Sequence, residues 1–461
     1  MKRVGVLVVA AVWMCGPAAA EDATSQFLAA ASTKANVLMQ VSYDYVQDAS
    51  GPIPAQKYTA QAICITREGL FMTFGIGAGM QAQEMKDLRL APSGESDKSI
   101  KAEFLWSDRE TGISFLRATE AGDFVPATFV ASPSLKVGTK IASVGLFEDD
   151  AAHTPYVGVG YISATLRVPS AIVLITGGSA TNTGSPILNE AGEFIGITKS
   201  QFLRYQVSTN QGIQEMSMNS RTLGQFFQPS SEFVHVVEYA KRNPARPRVL
   251  SWIGVLNFRP VDDNSVVKAE VPAVAVGRVA PEGPASSTLK EGDLIVKVDG
   301  KGLEKLPSPG LIHDAFVLKL VRMAPNQTLT LTIRRDGKES DVQVVTAPQP
   351  QDDTLAPRFI VTQLGFRVRE RAELDKFIMP PDVAKVDALV VLQVVQGSPA
   401  DRQGLRTGDL IVSVNTEAVS KVAAFKTKVT AALTKSPTSA VTFVVRRGSE
   451  THTFTIPPAT P

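Results

Sequence analysis

The sequence predicts a mostly β protein: an all-β barrel or sandwich, followed by two copies of a small α+β barrel. Two observations carry this reading. From Val37 to about Phe227, short β-rich runs alternate with Gly, Pro, Asn and Asp, the pattern of many short strands joined by turns. Beyond them the chain repeats itself. Gly283-Pro284-Ala285, Leu289 and Gly292-Asp293-Leu294-Ile295 recur as Ser398-Pro399-Ala400, Leu405 and Gly408-Asp409-Leu410-Ile411, a period of 116 residues from Asp293 to Asp409.

The elements follow in order. Lys2-Arg3, an apolar run from Val4 to Cys15, and Ala18-Ala19-Ala20 before Glu21 read as a secretory signal over residues 1–20, cleaved after Ala20. The apolar run is far shorter than the ~20 residues a spanning helix needs, so no membrane span is expected. Without those residues the chain has 45 basic and 45 acidic side chains, a balance that gives no reason to expect nucleic acid or an anionic membrane as partner. One cysteine is left, Cys64, read as a buried thiol on a strand.

The β-rich domain is placed at 25–230, with helical signal at about Ser25–Ala35 and Asn219–Phe227. A helix over Ser231–Arg242 runs into Asn243-Pro244-Ala245-Arg246-Pro247, giving a helix-and-linker segment at 231–250. The repeats occupy 251–346 and 358–457. Each has a helix (Pro309–Arg322; Ala423–Leu433) and a closing strand pair turned by charge and glycine. A Pro-, Gln- and Asp-rich linker at 347–357 separates them.

Thr181-Asn182-Thr183-Gly184-Ser185-Pro186-Ile187, then Asn189-Glu190-Ala191-Gly192-Glu193-Phe194-Ile195-Gly196-Ile197, resembles the nucleophile segment of the HtrA (Deg) family of trypsin-like serine proteases. The family pattern is G-N-S-G-G-P-L followed by N-x-x-G-x-[VI]-[IV]-G-I. The resemblance implies a trypsin-like double β-barrel over 25–230. It also lets the triad positions be read one by one. Thr183 stands at the serine, Ile76 at the histidine and Gly112 at the aspartate, in Asp108-Arg109-Glu110-Thr111-Gly112-Ile113-Ser114-Phe115-Leu116-Arg117.

A hydroxyl needs a base, and the base an orienting partner, which isoleucine and glycine cannot be. The expectation is therefore a catalytically inactive homologue, with no catalytic residue. Thr181, in place of a glycine, is expected to disturb the turn that aims backbone N–H groups at an oxyanion. Ser185 corresponds to a backbone glycine. His153 is read as lying in a solvated loop, and His235, His313 and His452 show no metal-ligand spacing. No metal and no cofactor are expected, since nucleotide-binding fingerprints are missing as well.

Each repeat resembles a PDZ domain. Trp252-Ile253-Gly254-Val255 and Gln363-Leu364-Gly365-Phe366 supply an apolar-Gly-apolar turn whose amides can form a nest for a terminal carboxylate, while a peptide adds as a strand to the sheet edge. The peptide-binding residues expected are Trp252, Ile253, Gly254, Val255, Leu364, Gly365 and Phe366, with the second repeat the better loop. The resemblance implies an adaptor, scaffold or chaperone-like factor of the cell envelope that binds polypeptide C-termini or unfolded segments, and the signal places it in the periplasm or outside the cell. The alternatives are an active endopeptidase with an unconventional site, or a regulatory subunit of an active paralogue. A homo- or hetero-oligomer, a trimer by family resemblance, is implied with it. Ser25–Ala30 are apolar enough to pack on a neighbour.

Overall fold

A computed structural model describes residues 17–45, 56–74, 76, 82–95, 97–148, 151–167, 169–199, 203–209, 212–218, 225–261, 271–435 and 440–458. The signal segment expected at 1–20 lies outside them up to residue 16. No helix among the described residues is long and apolar enough to cross a membrane. The chain divides into two compact units, residues 1–43, 58–76 and 87–247, and residues 44–57, 77–86 and 248–461.

The first unit opens with α1 (Pro17–Thr33). Phe27 and Ala31 of that helix pack into the unit's own core, with Lys140 Nζ 5.1 Å from the Phe27 ring, so the apolar N-terminal stretch is used within this chain. Strands β1 (Leu38–Tyr45), β2 (Gln56–Cys64), β3 (Leu70–Phe74), β4 (Met85–Pro92), β5 (Ile100–Ser107) and β6 (Ile113–Ala118) close into a barrel in the order β1-β2-β3-β6-β5-β4. A second barrel follows: β7 (Lys140–Leu146), β8 (Pro155–Arg167), β9 (Ala171–Thr176), β10 (Pro186–Asn189), β11 (Phe194–Lys199) and, after the hairpin β12 (Leu203–Thr209) and β13 (Gly212–Met218), β14 (Gln225–Pro229). Its order is β10-β11-β14-β9-β8-β7.

Central strands such as β3 are buried on both faces and read as continuous apolar runs rather than alternations. The helix expected at 219–227 is corrected. Residues 219–224 lie outside the described residues, and Gln225–Pro229 is a strand that pairs with β9 and β11 and buries Phe226 and Phe227. Helix α2 (Val234–Arg242) lays Val236, Val237 and Ala240, one stripe of a 3.6-residue period, onto the barrel core.

In the second unit the first repeat comprises β15 (Ser251–Trp252), β16 (Val255–Pro260), β17 (Val274–Val279), β18 (Leu294–Val298), β19 (Lys301–Gly302), α3 (Pro309–Arg322), β20 (Thr328–Arg335), β21 (Lys338–Val345) and β22 (Ala347–Pro348). Its main sheet runs β16-β17-β18-β20-β21, with β19 beside β18, and β15 pairs with β22. The segment read as a linker at 347–357 is thus structured: β22 returns to β15, and the Gln349 amide donates to the Leu250 carbonyl at 2.8 Å.

The second repeat comprises β23 (Arg358–Val361), β24 (Phe366–Arg369), the single turns α4 (Asp375–Ile378) and α5 (Pro381–Ala384), β25 (Leu389–Val394), α6 (Pro399–Arg402), β26 (Leu410–Val414), β27 (Glu417–Ala418), α7 (Val422–Lys435), β28 (Val441–Arg447) and β29 (Glu450–Ile456). Its sheet runs β23-β24-β25-β26-β28-β29, with β27 beside β26.

The repeated aspartate has a partner that the sequence reading missed. Asp293 takes a two-pronged bond from Arg335 (2.6 and 2.7 Å), and Asp409 takes one from Arg447 (2.7 and 2.7 Å). Each aspartate also accepts a backbone amide, from Lys290 or Arg406, at 2.8 Å. The pair pins the turn before the core strand to the closing hairpin. The arginine ahead of each Gly-containing turn was the available signal.

Candidate functional site

In the first unit an open cleft of about 380 Å³ is lined by Gln40, Thr59, Ala60, Gln61, Phe74, Glu148, Asn182 and Thr183. Gln61 on β2 organises it. Its Oε1 accepts the Leu146 amide (2.9 Å) and its Nε2 donates to Ser185 Oγ (3.2 Å), so one amide side chain joins β2 to the end of β7 and to the segment before β10. Sequence reasoning missed Gln61, since an isolated glutamine on a strand carries no spacing signal.

Thr183 is exposed on the cleft, and Ser185 is fully buried. The turn between them is made by Gly184 (φ +84°), whose amide donates to the Thr198 carbonyl at 3.0 Å. Thr181 does not strain this turn through its backbone, because it does not have positive φ. Its amide is taken by Ser143 Oγ at 2.9 Å.

Ile76 is buried, and its carbonyl accepts from Ser114 Oγ at the start of β6. Gly112 (φ +74°) turns just before β6 and donates its amide to the Asp108 carbonyl at 2.8 Å. Asp108 is itself buried, with one carboxylate oxygen accepting both the amide and the hydroxyl of Thr111 (2.9 and 2.8 Å). His153, expected in a solvated loop, is buried with φ +54°. Among the described residues no group of His, Cys, Asp and Glu could hold a metal ion.

The PDZ-like turns differ from each other. Ile253, Gly254 and Val255 are buried, and Gly254 (φ +84°) passes so close to Pro284 and Ala285 that a Cβ would lie 2.8 Å from the Pro284 nitrogen. The Gly254 carbonyl accepts from Ala280 (2.8 Å), while the Ile253 and Gly254 amides have no backbone acceptor among the described residues. Strand β16 is the end of its sheet, with α3 packed beside it and Phe258 edge-on to Phe316 at 5.1 Å. Trp252 is turned elsewhere: its ring packs on Phe377 at 5.1 Å and its indole donates to the Val255 carbonyl at 2.9 Å.

In the second repeat Leu364 and Phe366 are core residues, and the amides of Leu364 and Gly365 donate to the Val361 carbonyl at 3.1 and 2.8 Å. The expectation that this is the better loop is reversed. Two of its amides are already engaged, and β24 has a strand on both edges.

Two closed six-stranded barrels are followed by two PDZ-like sheets. The PDZ domain model matches residues 253–346 and 362–457. Curated relatives are named probable periplasmic serine endoprotease DegP-like. Those of Marinomonas sp. (strain MWYL1) and Pseudomonas fulva (strain 12-X) are each 28% identical, over 70% and 74% of this chain and 65% and 68% of their own lengths. The match spans about two thirds of these relatives, or slightly less. Among solved structures, the HtrA-type protease AlgW with decapeptide aligns at TM-score 0.52 and 17% identity, covering 70% of this chain and 99% of that one; it shares the fold.

Residues 253–346 and 362–457 are PDZ domains, and the chain as a whole is similar to DegP-like serine endoproteases. The expectation of an inactive homologue is overturned by these relatives, all of them named serine endoproteases.

Proposed function

We propose that this chain works in the periplasm or outside the cell as a polypeptide-binding member of the DegP-like endoprotease class, taking extended segments or chain ends into its first PDZ groove. The observation that supports this most is that, among the described residues, β16 ends its sheet beside α3, next to a glycine turn whose Ile253 and Gly254 amides have no backbone acceptor there. A strand added there gains main-chain hydrogen bonds, and the amides receive a terminal carboxylate. Such capture serves delivery to the barrel cleft as well as adaptor, scaffold or chaperone-like roles. Assembly into an oligomer belongs to the same proposal and is read by light scattering.

The test is fluorescence anisotropy of a labelled apolar-ended peptide on the full mature chain, free acid against C-terminal amide. Ile312→Asp on α3, partly buried against the Ile253–Val255 core, serves as groove variant, with its folding checked by thermal melting. Tighter binding of the free acid, lost in the variant, supports the reading. Equal binding of acid and amide by both proteins sinks it.

A further inference from the structure

The second PDZ repeat already holds a strand where the first is open. β23 pairs along its length with β24, Arg358 opposite Arg369, Phe359 opposite Val368, Ile360 opposite Arg367 and Val361 opposite Phe366. It also lies against α7: the Phe359 and Phe425 rings are 6.2 Å apart, and Lys426 Nζ is 5.3 Å from the Phe359 ring. The position between edge strand and helix is the one a peptide takes when it augments such a sheet.

Side chains and carbonyl follow the same logic. Phe359 and Val361 are buried in the core, while Arg358 before them and Ile360 between them are half-buried. The Val361 carbonyl oxygen receives two amides of the glycine turn, the donors a terminal carboxylate would use. The strand's other end is fixed by a two-pronged ion pair from Arg358 to Glu84, 2.8 Å at each contact, within the same compact unit. In the first repeat the strand before the turn, β15, pairs instead with β22, and among the described residues β16 has no strand on its outer edge.

We propose that Arg358–Val361 is a built-in ligand of the second PDZ groove. The groove accepts an external chain of the same chemistry once this strand is withdrawn: an extended C-terminus with a β-branched last residue and an aromatic two positions before it. A ligand joined through so short a turn acts at an effective concentration of mM order or more, so a free peptide of equal intrinsic affinity cannot displace it at micromolar concentration.

The experiment uses the full mature chain, a peptide ending in the free-acid sequence RFIV, and hydrogen exchange read at residues 366–369, which separates this groove from the first. Expected is no added protection there in the wild type at peptide concentrations in the micromolar range. A Phe359→Ser/Val361→Ser variant exchanges faster at 366–369 and regains protection with peptide, at least tenfold tighter than wild type. Arg358→Ala, which only releases the anchor, shifts in the same direction and replaces the double variant if that fails to fold. Two results overturn the proposal: equal peptide protection of wild type and variant, or a loosened strand with no protection by peptide. Absence of any wild-type binding elsewhere would bear on the first groove alone.

Discussion

Thr416 is a residue at odds with its own backbone. With Asn415 it makes the two-residue turn between β26 and β27, and its φ is +78°. A β-branched side chain is rarely held there, and the matching turn of the first repeat places Gly300 (φ +72°) at the same point. Thr416→Gly is expected to stabilise the second repeat by about 1 kcal/mol, read as a rise in the denaturant midpoint. Cys64 is a residue whose chemistry is suppressed. Burial pushes its thiol up to about 11, the hydrogen bond it donates to the Thr66 carbonyl notwithstanding. It is expected to resist iodoacetamide at pH 8 until the chain unfolds. Since the folded state keeps this proton longer than the unfolded one, its contribution to stability falls as pH rises from about 9 towards about 11.

At the scale of the element, the Asp–Arg ties hold each PDZ-like sheet to its turn. Asp409→Ala leaves the Arg447 guanidinium without its carboxylate and the Arg406 amide without its acceptor. A loss of about 2 kcal/mol is expected in chemical denaturation of the second repeat, from hydrogen bonds to a charged acceptor rather than from a stranded charge, since Arg447 stays partly in solvent. Gly365→Val is a poor probe of binding here, because the new Cβ would lie 2.2 Å from Ser398 Cβ at φ +76° and disturb packing first.

What the sequence revealed at this scale was local. Pro309–Arg322 was bounded correctly because Ser308 caps it, accepting the Leu311 amide, and proline sits at its first position. Phe226 and Phe227 were misassigned to a helix because two adjacent aromatics fit either period, and the pairing that decides is with distant strands. The cleft was legible only through the Thr181–Ile187 segment. Gln61 and the occupied second groove depend on partners that no spacing in the chain encodes.

At the scale of the molecule, the buried ion pair between Glu84 and Arg358 joins groups 274 residues apart. The Glu84 carboxylate raises the Arg358 guanidinium above its ordinary value, as a close acceptor does. Glu84→Ala would take away the two-pronged acceptor of that half-buried cation, and faster hydrogen exchange at residues 358–369 is expected. Unchanged exchange there would show that the pair adds nothing to the strand.

The stretch connecting the two repeats has a mechanical consequence. Ala347 and Pro348 are paired back to Trp252 and Ser251, Gln349 is bonded to Leu250, and Gln351 exchanges hydrogen bonds with Glu373 and Leu374. Trp252 closes the same seam against Phe377. A connection stitched at both margins has little slack. A load on a chain gripped by the first repeat is therefore passed on as a tug on the second, where a looser tether would have absorbed it.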